Sequence, residues 1–93
     1  MSGNPIKKRV ARAKRKAAAD LRGMGYFVFK ADSLNASLIG FRKTDIRIVR
    51  VVLDKITPFD RAALRAIPAP GGSCSSELWL RQYGAIAFEK SKA

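Results

Sequence analysis

Histidine is absent, cysteine occurs once, and seven acidic residues face nineteen basic ones. Each shortage removes chemistry. Without histidine there is no Ser-His or Cys-His nucleophile pair, and one cysteine is too few for a zinc site. The lone Cys74 cannot form an internal disulfide, which fits a reducing cytoplasm. No run approaches about 20 apolar residues, so no membrane span is expected. The basic start of the chain lacks a following apolar segment, so no cleaved secretory signal is expected.

What remains is charge on a small frame. Ninety-three residues make one domain with a thin core, and 47% apolar residues exclude a disordered tail. The formal charge of +12 and a pI near 10.8 favour a polyanionic partner. Nucleic acid comes first and an anionic membrane surface second; a merely soluble, highly charged surface is the bland alternative.

Residues 46–53, IRIVRVVL, form the longest β-branched run. Alternation sends Ile46, Ile48, Arg50 and Val52 to one side and Arg47, Val49, Val51 and Leu53 to the other. Both sets are mostly apolar, as in a central strand covered on both faces. Arg50 is the odd member. Upstream, residues 1–4 are expected to be disordered, with Asn4 as N-cap and Pro5 at the first helical position. Ile6, Val10, Ala13, Ala17, Leu21 and Met24 then fall in a stripe of roughly 80°. Lys7, Lys8, Arg9, Arg12, Lys14, Arg15, Lys16 and Arg22 fill the other faces of that helix. Only Asp20 is available to pair with them on the helix itself, so a phosphate backbone is the natural counterion. A solvated helix face is the competing reading. Membrane-surface binding by this helix is weaker, because its seam is alanine-rich and lacks bulky aromatics.

Gly23 and Gly25 end the helix, and residues 26–31 and 37–41 read as two strands leading into the central one in an antiparallel meander. Thr57, Pro58 and Asp60 open a second helix that ends before Pro68. Residues 68–76 are a loop of turn formers containing Cys74, and 77–83 and 85–90 are two more strands. The domain proper is expected over residues 5–90, with 91–93 as a tail. The order α-β-β-β-α-β-β makes an α/β (α+β) domain with one mixed sheet. The aromatics Tyr26, Phe27, Phe29, Phe41, Phe59, Trp79, Tyr83 and Phe88 mostly alternate within apolar strands, so core packing is expected over base stacking. Trp79 is expected to anchor the sheet to a helix.

With RGMGYFVFKA at the first turn, ASLIG, Arg50-Val51-Val52 and ITPFDRAALRAIPAP before ELWL, the chain resembles the restriction-endonuclease-like PD-(D/E)xK nucleases. The likeness is strongest to small archaeal Holliday-junction-resolvase-like members. It implies a restriction-endonuclease-like core, DNA rather than RNA, and pairing through sheet edges or helices into a homodimer. In that family hard oxygen ligands hold Mg²⁺ and a lysine assists on phosphate. Here Ser37 stands for the aspartate, Arg50 for the acidic ligand and Val52 for the lysine. No catalytic residues, cofactor or metal ligands are therefore expected; Mg²⁺ enters only if Asp32, Asp45, Asp54 or Glu77 act as migrated ligands. Arg50 either grips phosphate in the vacated position, or snorkels past Ile48 and Val52 to the sheet edge or pairs with a neighbouring acid.

These readings converge on a cytoplasmic or nucleoid-associated, non-cleaving nucleic-acid binder. Its contacts are expected from the eight helix cations together with Lys30, Arg42, Lys43 and Arg50. An active structure-specific endonuclease and a small basic RNA-binding protein remain the alternatives.

Overall fold

The computed structural model describes residues 5–32, 36–68 and 71–92. Asn4 and the expected disorder of residues 1–4 lie outside these. Helix α1 spans Pro5–Gly23 and buries Ala13, Ala17, Ala18 and Leu21, with Val10 and Met24 half-buried. Ile6, placed on the same stripe by spacing, is 64% exposed. Alanine dominates the seam, so the helix backbone can sit close to the sheet. The helix ends in a Schellman motif: the Tyr26 N–H donates to the Leu21 carbonyl at 3.1 Å and the Gly25 N–H to the Arg22 carbonyl at 3.0 Å. Gly25 takes φ +94°, which a side chain would resist. Tyr26 and Leu21 then pack together, closing the motif with an apolar contact.

Five strands follow in the spatial order of the sequence: β1 (Phe27–Lys30), β2 (Leu38–Arg42), β3 (Asp45–Leu53), β4 (Cys74–Arg81) and β5 (Glu89–Lys92). The first three form the antiparallel meander, β4 runs parallel to β3, and β5 returns antiparallel to β4. A parallel step needs a crossover, and α2 (Pro58–Arg65) supplies it. The domain is thus a single α+β unit with a mixed sheet and the expected element order.

Alternation divides the core between the two faces. Val49 and Trp79 join α1 on one side; Ile48, Val52, Leu78 and Leu80 join Leu64 of α2 on the other. Leu21, Leu64 and Leu78 are fully buried, each stabilising by about 1.5–3 kcal/mol relative to exposure. Gly40 leaves room for Tyr26, since a Cβ there would come within 3.1–3.3 Å of its ring. Helix α2 starts as its residues demand. Asp60 N–H donates to Thr57 Oγ1 at 3.2 Å and the Asp60 carboxylate accepts the Thr57 N–H at 2.9 Å, a complete capping box.

Two boundaries differ from expectation. The parallel register begins at Ile46 opposite Cys74, so Cys74 is a half-buried strand residue rather than part of the loop. After β4 the chain turns at Gly84 (φ +77°) with an Ala85 N–H to Gln82 carbonyl bond, and pairing resumes only at Glu89 opposite Leu80. Residues 85–88 therefore leave the sheet, and Ser91 and Lys92, expected in the tail, belong to β5.

Candidate nucleic-acid interface

Acidic side chains are scarce, and the fold uses nearly all of them. Among the described residues six of the seven carboxylates sit in ion pairs: Asp20 with Lys16, Asp32 with Lys14, Asp45 with Arg42 and Arg47, Asp54 with Arg9, Asp60 with Arg50, and Glu77 with Arg47. This sorts the cations of α1. Arg9 reaches Asp54 through both terminal nitrogens, at 2.9 and 3.2 Å, and pins the helix flank to the end of β3. That pairing holds the Asp54 carboxyl below its ordinary range and raises the Arg9 guanidinium above its own. Asp54 is the one described non-glycine residue with positive φ, at 69°. Lys14 bridges to Asp32 at 2.7 Å on the other flank.

Lys8, Arg12, Arg15 and Arg22 are different. All four are exposed, and no ion pair engages them among the described residues. At about 100° per residue they occupy one narrow sector directly opposite Ala17. With a 1.5 Å rise the row is roughly 20 Å long, comparable to about six base pairs of duplex. Lys7 is also exposed, nearer the sheet. Four aligned cations without acids repel one another, and a line of phosphates relieves that repulsion.

Arg15 and Arg22 also line a groove of about 490 Å³ between α1 and the β1–β2 edge, together with Lys14, Lys30 and Ser37. Lys43 is exposed on the β2–β3 turn, away from that groove. Arg42 is committed to structure: it donates to Asp45, donates to the Met24 carbonyl at 2.8 Å, and lies 4.4 Å from the Tyr26 ring centre.

Ser37, Arg50 and Val52 do not converge. The Ser37 hydroxyl is buried and accepts the Val51 N–H at 3.0 Å, completing the backbone ladder. Arg50 lies on the opposite, α2 side, donates to Asp60 at 3.1 Å and sits 5.6 Å from the Phe59 ring centre. Val52 is buried in the α2-side core. The geometry at Arg50 is that of pairing with a neighbouring acid. Burial raises the Asp60 carboxyl's proton affinity, but bonds from Thr57 and Arg50 outweigh it and leave the group below its usual range. Arg50→Ala is expected to lower stability by about 2 kcal/mol through loss of this charge-assisted bond. If the protein binds nucleic acid, the variant should keep the wild-type salt slope; urea unfolding and binding isotherms check the two halves.

Asp32, Asp45, Asp54 and Glu77, the candidate migrated ligands, are each held by a cation, and no group of three or more metal-ligating side chains occurs among the described residues. Asp45 and Glu77 anchor a polar line under α1. Asp45 accepts from Tyr26 and Arg42, Arg47 donates to Tyr26 at 2.7 Å, and buried Glu77 accepts from Trp79 at 3.0 Å and Ser75 at 2.8 Å. The Tyr26 hydroxyl, then Arg42, hold the Asp45 carboxyl down at about 2. Burial, then Asp45, push the Tyr26 phenol up. Because the Asp45 pKa is depressed on folding, its stabilisation is complete above its ordinary value and is lost as pH falls through about 2. Tyr26→Phe removes the largest cause. The Asp45 carboxyl midpoint, followed by NMR, is expected to rise toward 3.8, and an unmoved midpoint would contradict the assignment.

The aromatic residues divide in a way alternation alone did not reveal. Tyr26 and Trp79 are buried under α1 and Phe88 packs at the edge of that core. Phe27, Phe29 and Phe41 are 74%, 58% and 40% exposed, and Phe59 and Tyr83 are exposed as well. The first three share the α2 side of β1 and β2, but α2 packs over β3 and β4 and does not reach them. Alternation assigns a side of the sheet; it does not say how far a short helix extends across it.

No described helix is long and apolar enough to cross a membrane. No family model, curated protein or solved structure matches this chain.

Proposed function

We propose that this protein binds nucleic acid, DNA in preference to RNA, along the outer face of α1 and does not cleave it. One observation carries the reading. Lys8, Arg12, Arg15 and Arg22 stand in a row with no ion pair among the described residues, while six of the seven acids are engaged elsewhere. The preference for DNA rests on the nuclease resemblance alone, and a cytoplasmic or nucleoid location follows from the partner. Specificity would come from the shape of the nucleic acid, because phosphate contacts carry no sequence information.

Titrating labelled duplex DNA and duplex RNA of one sequence, with Mg²⁺ present, tests the proposal. Binding should weaken steeply with salt, DNA should bind more tightly, and the strands should stay intact. Absence of binding at low salt would refute the reading. Mg²⁺-dependent nicking would replace it with the migrated-ligand endonuclease.

A further inference from the structure

Strand β1 is one edge of the sheet, and its two faces carry complementary features. On the α1 side its Lys30 borders a groove lined by Arg15 and Arg22, with the Lys14–Asp32 ion pair in its wall. On the other side Phe27 and Phe29 stand beside Phe41 of β2. Phe27 lies directly across from Phe41, and the Phe29 and Phe41 rings meet edge to face at 5.7 Å between centres. The three rings present roughly 300 Å² of aromatic surface.

We infer that this edge takes a single-stranded nucleic-acid segment, its phosphates following the basic groove and its bases stacking on Phe27, Phe29 and Phe41. The inference rests on the proposed nucleic-acid binding and names the substrate form. Charge decides the occupant. A second copy of the chain would bring another +12 of like charge to the same edge. The patch also falls well short of the roughly 800 Å² per partner that a stable protein interface buries. A nucleotide strand supplies both missing complements, negative charge for the groove and flat rings for the phenylalanines. Phe27, Phe29 and Lys30 all belong to this edge strand, so the rings and the groove adjoin across it.

The test compares wild type with a Phe27→Ala/Phe29→Ala double variant, binding short oligothymidylate, oligouridylate and a duplex. Both side chains are largely exposed, so the variant should melt close to wild type. Loss of stacking should weaken both single-stranded ligands by at least about tenfold, leave the salt slope unchanged and leave duplex binding unaltered. A loss confined to one oligonucleotide would still support the site and assign it to DNA or RNA. In a Phe27→Trp variant, the exposed indole should be quenched on adding the single strand.

Unchanged single-strand affinity and an unquenched indole would overturn the inference while leaving the α1 reading intact. A concentration-dependent dimer that the double variant abolishes, with oligonucleotide binding unaffected, would overturn it in favour of a homodimer face. If wild type binds no nucleic acid of any form, the underlying reading fails instead.

Discussion

Replacing Lys8, Arg12, Arg15 and Arg22 together with glutamine is expected to reduce the salt slope of duplex binding by about 3 to 4, at about 0.9 per phosphate contact. Affinity near 50 mM salt should fall by about two orders of magnitude or more. The protein itself should not suffer. None of the four contributes to the buried stripe, and glutamine keeps nearly the helix propensity of lysine and arginine. Removing four like charges from one sector relieves repulsion, so the melting temperature should hold or rise. The matching control is Arg9, Lys14 and Lys16, whose charges are already met by Asp54, Asp32 and Asp20. Their replacement should reduce the slope far less per residue. Equal effects from the two sets would mean that total charge, rather than the outer row, governs binding.

The largest loss of stability is expected from Trp79→Ala. Trp79 is fully buried between α1 and the sheet, packs on Phe88 at 5.5 Å between ring centres, and has the Lys90 ammonium 4.3 Å from its ring centre. Truncation leaves a large cavity and costs about 3–5 kcal/mol. It also removes the indole N–H from Glu77, a buried carboxylate left with Ser75 and the longer Arg47 contact at 3.4 Å. A domain of this size is stabilised by only about 5–14 kcal/mol in total. The variant should therefore show a much lower urea midpoint by circular dichroism, and a shift under about 1 kcal/mol would place Trp79 outside the core. Trp79→Phe restores much of the volume but not the donor, so it should fall between the two and separate packing from the Glu77 bond.

Much of the fold could be read from residue order. The β-branched run 46–53 became the middle strand, and Thr57, Pro58 and Asp60 became the cap of α2, because both signals are local and chemically specific. Strand ends were less legible: pairing at Cys74 and the late start of β5 depend on register with neighbours, which spacing alone does not encode. The site was legible as a basic helix but not as a row. Which cations remained on the surface depended on Asp32 and Asp54, 18 and 45 residues away from their partners. Arg50 read equally as a phosphate grip or a buried pair, and only the position of α2 brought Asp60 against it. The exposed phenylalanines escaped because their alternation matched a covered strand while the helix that would cover them is only eight residues long.

The most direct measurement maps amide chemical-shift changes when a short duplex is titrated into the labelled protein. If α1 holds the phosphates, the changes should cluster at Lys8, Arg12, Arg15 and Arg22 and fade with added salt. Changes centred instead on α2, around Arg61 and Arg65, with α1 silent, would contradict it.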